Sequence, residues 1–190
     1  NYVSPVTTIN AGPSEGEIIT NEEVIFTWTG NDQNMEFRYY FNSILIQDWT
    51  NTNSHKLEYL NEGNQIFSVQ GKYSNEDTSL TVHTGFIVDA IEGPSLIFYP
   101  RKQVVTEGQN LFFEIIAEEV QNLTATEFVL LFDKNILRID SINTGNIFTL
   151  DKNYIFHKKI DNAGGKAQLL IGLLGGANPG FTGTGSLAKV

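Results

Sequence analysis

The chain has 190 residues, with 22 Asp and Glu against 12 Lys and Arg, a formal net charge of −10 and no cysteine. That length fits one large or two small domains, and the missing thiols exclude a disulfide framework, a thiolate metal site and a cysteine nucleophile. Residues 1–92 hold 13 acidic and 3 basic side chains while residues 93–190 hold 9 of each, so the first half repels nucleic acid.

Thirteen Phe, seven Tyr and frequent β-branched residues suit pleated, half-buried surfaces. The start, Asn1-Tyr2-Val3-Ser4-Pro5, reads as a processed chain or a piece of something longer. The longest apolar run, Leu169 to Leu174 with Gly172 inside it, is far below the roughly 20 residues that span a bilayer. Direct membrane insertion is therefore not expected.

In chain order, Val24, Phe26 and Trp28 alternate with Ile25, Thr27 and Thr29. Period two with one apolar face predicts a half-buried strand, with Trp28 in the core. Gly30-Asn31-Asp32 then turns the chain. Further strands are expected at 35–41, 43–47, 56–60, 65–70, 79–82 and 85–88, a spacing that predicts a β-sandwich. Ala90-Ile91-Glu92-Gly93-Pro94-Ser95 marks a boundary before Leu96-Ile97-Phe98-Tyr99. Beyond it Leu111, Phe113, Ile115 and Ala117 share one face, and Phe128, Leu130 and Phe132 another. The latter strand stops at Asp133-Lys134-Asn135 and is expected to resume at 136–139. Strands also read at 154–160, 167–174 and 186–190, with Asn162-Ala163-Gly164-Gly165 as a hairpin signal. No helix longer than a turn is predicted. The fold class is all-β: two sandwich domains in tandem, residues 1–92 and 93–190.

Nothing in the sequence assembles a catalytic centre. His55, His83 and His157 are scattered and lack an acidic or nucleophilic partner nearby, and there is no G-x-S-x-G elbow or H-E-x-x-H helix. Adjacent Glu118 and Glu119 at a strand end should point to opposite faces, which is poor geometry for paired carboxylate chemistry. The glycine-rich stretch 175–185 has no lysine and leads into a strand, so it is no phosphate cradle. A calcium ion is left open at the oxygen-rich turns Asn31-Asp32-Gln33-Asn34 and Asn75-Glu76-Asp77-Thr78, although neither has the spacing of a calcium loop. Carbohydrate could use flat aromatic platforms, with Trp49, Tyr40 and Tyr73 as candidates beside the alternative of core packing. Asn122-Leu123-Thr124 fits a glycosylation acceptor.

Two resemblances order these observations. Pro5, Val24 through Trp28, Phe37-Arg38-Tyr39, Trp49, Tyr59-Leu60-Asn61-Glu62-Gly63, Phe67-Ser68-Val69 and Phe86-Ile87-Val88-Asp89 resemble a bacterial fibronectin type III-like or immunoglobulin-like spacer. Where that family commonly has an aromatic after the Leu60…Gly63 corner, this chain has Gln65. Val104 through Gln109, Asn122-Leu123, Glu127 through Leu137, Leu173 through Gly176 and Gly183 through Val190 resemble a cohesin, over residues 96–190. A cohesin jelly roll has nine strands and this chain supplies seven, so the resemblance implies an incomplete module with an exposed edge along 125–132.

The cohesin resemblance implies a non-catalytic, extracellular or bacterial cell-surface docking module with a dockerin-like partner and no cofactor. Its contact sheet would include strands three, five and six. With Phe128, Leu130 and Phe132 inward, Glu127, Val129 and Leu131 point outward, and Ala125 shares their face. On the sixth strand Leu169, Ile171 and Leu173 are assigned to that face, with the opposite register left open. The alternatives are a structural surface-layer or sheath element making homotypic contacts, and a glycan-binding adhesion module.

Overall fold

The computed structural model describes residues 2–147, 153–175 and 179–190. The chain separates into two compact units, Asn1–Ala90 and Ile91–Val190, and the described residues hold strands and no helix.

The first unit contains β1 (Thr7–Ala11), β2 (Glu17–Ile19), β3 (Glu23–Gly30), β4 (Glu36–Phe41), β5 (Ile44–Thr50), β6 (Ser54–Glu58), β7 (Gly63–Lys72) and β8 (Val82–Val88). They form a three-stranded sheet, β1-β3-β6, and a five-stranded sheet, β2-β8-β7-β4-β5. The alternation in β3 puts Phe26 and Trp28 in the core, where Phe37, Tyr39, Phe67, Val69, Phe86 and Val88 meet them from the larger sheet. Phe26 stacks on Phe67 at 4.1 Å and Trp28 lies 4.9 Å from the Tyr39 ring, offset contacts that add to the burial of the rings. Asn42 and Ser43, with φ of 48° and 67°, close the β4–β5 hairpin in the doubly left-handed geometry that matches strand twist. Gln65 is buried, yet its amide is satisfied: Nε2 donates to the Asn61 carbonyl at 2.8 Å and Oε1 accepts from Asn42 Nδ2 at 2.7 Å.

His55 on β6 lies against the Tyr39 ring, 4.9 Å between centroids. Desolvation by burial holds its imidazole below the ordinary histidine value, so on acidification the unfolded chain takes up the proton first. Stability is therefore lost as pH falls below about 6.5. Thermal unfolding followed from pH 7.5 to 5 is expected to show a smaller drop in melting temperature for His55→Gln than for the wild type.

The second unit contains β9 (Ser95–Tyr99), β10 (Glu114–Leu123), β11 (Ala125–Leu131), β12 (Asn143–Thr144), β13 (Tyr154–Asp161), β14 (Lys166–Leu173) and β15 (Phe181–Lys189). One sheet runs β12-β15-β10-β9 and the other β11-β14-β13. Ile115, Ala117, Leu187 and Ala188 from the first meet Leu130, Ala167, Leu169 and Ile171 from the second. Register shifts beside Val120 accompany positive φ at Glu119 and Asn122 (49° and 51°), so β10 bends by bulges. The hairpin at residues 162–165 joins β13 to β14, with Gly165 at φ 66° and the Gly164 N–H held by Asp161 Oδ1 at 2.8 Å.

Four expected strands differ. Residues 136–139 are not a strand, because the Ile136 and Leu137 N–H groups both donate to the Asp133 carbonyl, at 3.1 and 2.8 Å. Asp133 Oδ1 accepts the Asn135 N–H as well, at 2.9 Å, so the segment closes into a turn that leaves Ile136 exposed. The strands expected at 79–82 and 85–88 are one strand, β8, starting at Val82. Ser79 before it is tied to Gly71 and Thr7 by its hydroxyl and N–H rather than by a ladder. Finally β15 begins at Phe181, within the glycine-rich stretch: Gly183 adopts φ 117° beside the Val120 bulge, a conformation that favours glycine. Residues 176–178 of that stretch lie outside the described residues.

Candidate protein-docking surface

The pairing of β11, β14 and β13 builds a face row by row. Ala125 stands beside Gly172 and Ile155, Glu127 beside Leu170 and His157, Val129 beside Gln168 and Lys159, and Leu131 beside Lys166 and Asp161. These side chains share one side of the sheet because strand side chains alternate. The other parity, Phe128, Leu130, Ala167, Leu169, Ile171, Leu173, Tyr154, Phe156 and Ile160, belongs to the core. On the outer side Val129 is 51% exposed, Leu131 79% and Ile155 42%, with Leu170 half-buried between them. Gln168 Nε2 donates to Glu127 Oε1 at 2.6 Å, which fixes a polar pair beside the aliphatic side chains. The result is an exposed face with an apolar band flanked by Lys159, Lys166 and Asp161.

The structure thus brings Ala125, Glu127, Val129 and Leu131 onto one exposed face. It does not bring Leu169, Ile171 and Leu173 there. Leu169 and Ile171 are 0% and 1% exposed, and Leu173 packs half-buried against the same core. The ladder places Gly172, Leu170, Gln168 and Lys166 outward instead. Alternation of Lys166 and Gln168 with Ala167 and Leu169 carries this parity in the sequence. The apolar run that follows hides it.

The carbohydrate candidates already make contacts within the first unit. Tyr73 packs half-buried against the first unit's core. Trp49 has the Arg38 guanidinium 4.6 Å and the Lys72 ammonium 5.0 Å from its ring centre, and Arg38 also lies 5.9 Å from the Tyr40 ring. These cations occupy aromatic faces that a sugar would use.

Several other polar side chains bond within the chain. Asp32 Oδ1 accepts the Asn34 N–H at 2.8 Å, and Asn75 and Asp77 bond each other while Asp77 Oδ2 also accepts from the Tyr2 hydroxyl, as turn residues commonly do. Glu118 accepts from Thr184 Oγ1 at 2.9 Å, while Glu119 accepts the Gly93 N–H at 3.0 Å. Among the described residues no three His, Asp or Glu side chains group to hold a metal, and no helix is long and apolar enough to cross a membrane.

No family model and no curated protein matches the chain. Among solved structures it is similar to the type II cohesin dyad from the adaptor ScaA scaffoldin of Acetivibrio cellulolyticus, at 9% identity, with 99% of this chain and 84% of that chain covered and a TM-score of 0.41. At that similarity no residue's role passes from the dyad to this chain.

Proposed function

We propose that this chain is a non-catalytic protein-docking piece, with the second unit supplying the contact surface and the first acting as a spacer. The observation that carries the reading is the outer face of β11-β14-β13, where Val129, Leu131 and Ile155 are exposed on one side of the sheet. Exposed aliphatics contribute affinity when a partner covers them, and the surrounding Glu127, Gln168, Lys159 and Lys166 set register. From the resemblance in sequence the reading takes a dockerin-type partner and a scaffold outside a bacterial cell.

Purified dockerin modules titrated against the immobilised chain test it. Val129→Asp and Leu131→Asp are each expected to weaken capture at least tenfold, since each puts a charge under a dry contact. Both sites are exposed, so the melting temperature should stay within a few degrees of wild type. Capture unchanged by both substitutions would remove this face from the function.

A further inference from the structure

The first unit holds a pocket of about 320 Å³ between the β3–β4 turn and the loop joining β5 to β6. Small-molecule pockets start at about 300 Å³, so this one has room for a single ring-sized ligand. None of residues 2–6 lines it. The Tyr2 hydroxyl donates instead to Asp77, in the loop between β7 and β8.

The buried part of the lining is Trp28, Met35 and Phe37. Trp28 is fully buried, yet its indole N–H has no hydrogen-bond partner in the chain. A buried donor left unpaired is destabilising, and nearly all such groups in folded proteins are satisfied by something. The exposed part is polar: Asp32 and Gln33 from the β3–β4 turn, Asn51 and Asn53 from the β5–β6 loop. The side-chain amides of Gln33, Asn51 and Asn53 have no partner among the described residues. Asp32 Oδ1 is taken by the Asn34 N–H, which leaves Oδ2 as an acceptor.

Both loops are tied down. Asn31 accepts the Val6 N–H through Oδ1 and donates to the Ser4 carbonyl through Nδ2, each at 2.9 Å. The Asn53 carbonyl accepts the Trp28 backbone N–H at 3.0 Å, and the Thr52 N–H donates to Thr50 Oγ1 at 3.3 Å. A pocket with tied loops loses little conformational freedom on binding.

The lining carries one carboxylate and no cation, in a half of the chain with 13 acidic and 3 basic side chains, which disfavours anions. One carboxylate engaged through an oxygen also gives a divalent cation too little charge. Carboxamides donate and accept at once, as sugar hydroxyls do. These groups are loop side chains rather than a row of strand N–H and C=O groups, so nothing among them templates a peptide backbone.

We infer that this pocket binds one neutral sugar residue, its hydroxyls bonded to Asp32, Gln33, Asn51 and Asn53 and one of its oxygens accepting the Trp28 indole N–H. Met35, unbranched and flexible, is the part of the lining that moves to let that oxygen reach the buried N–H. Trp49, Tyr40 and Tyr73 do not line the pocket, and the site does not depend on the docking face of the second unit.

The test is nuclear magnetic resonance on the full chain, titrated with glucose, galactose, mannose, xylose and N-acetylglucosamine. Two indole N–H signals are expected, from Trp28 and Trp49, and Trp49→Phe assigns them. At least one of these sugars should shift the Trp28 signal saturably, with a millimolar dissociation constant, while the Trp49 signal stays in place. Asn51→Ala and Asn53→Ala, both at exposed positions that tolerate substitution, should each weaken that sugar about tenfold. Trp28→Phe keeps a ring in the core, removes the N–H and should weaken binding at least tenfold, and the asparagine variants cover the case in which it fails to fold. Trp49→Phe and Val129→Asp should bind within twofold of wild type, which separates the pocket from the other aromatic candidates and from dockerin capture. Acetate and triglycine, as anion and peptide controls, should leave the Trp28 signal unmoved. A Trp28 signal that none of these sugars moves would overturn the inference, since water would then be the partner of the indole. An equal shift with acetate or triglycine, or full binding by both asparagine variants, would overturn it as well.

Discussion

Leu169→Asp is expected to abolish the cooperative unfolding transition of the second unit, while Val129→Asp on the neighbouring strand leaves it in place. Leu169 is fully buried and packs in the centre of a three-on-four sandwich. The cross-strand neighbour Lys158 is already held by the Ile142 carbonyl, so a carboxylate at 169 must break that contact, be buried unpaired or carry a proton at neutral pH, and each costs several kcal/mol. Truncation to alanine should cost about 2–5 kcal/mol by loss of burial and residual cavity. A domain whose whole stability is about 5–15 kcal/mol survives the second change more often than the first. Calorimetry of the three variants checks the order. An intact transition in Leu169→Asp would mean that the outward register of β14 is the real one, and the contact face would have to be redrawn.

The second large effect belongs to the first unit. Trp28→Ala should destabilise that unit by about 3–5 kcal/mol, the range for removing a buried aromatic. Trp28 is fully buried and contacts the rings of Phe37, Tyr39 and Phe67 at 4.9–6.3 Å, so its loss removes shared packing as well as apolar area. Urea unfolding monitored by Trp49 fluorescence measures it, since Trp49 is then the single tryptophan left. A change below 1 kcal/mol would contradict the aromatic core.

Legibility in the sequence was greatest for strands covered on one face. β3 and β11 alternate cleanly because one side of each packs on a core, and the period-two pattern is the imprint of that packing. β14 alternates only over Lys166 to Leu169. Beyond that Leu170 and Gly172 face outward with little polarity to mark them, so Leu169 and Ile171 were placed on the wrong side by one residue, and one residue inverts every side chain. Leu170 and Ile155 went unseen as members of the face for the same reason. β1 and β2 escaped notice because they are short and mostly exposed. The turn at Asp133-Lys134-Asn135 was legible but its extent was not, since Ile136-Leu137-Arg138-Ile139 has strand composition while the Asp133 carbonyl captures the Ile136 and Leu137 N–H groups.

Lys158 closes one side of a sheet. It stands at core parity on β13, paired with Leu169, and its ammonium is held by the Ile142 carbonyl. A strand arriving at the β13 edge would have to bury or displace that charge, so the sheet resists lengthening from that side.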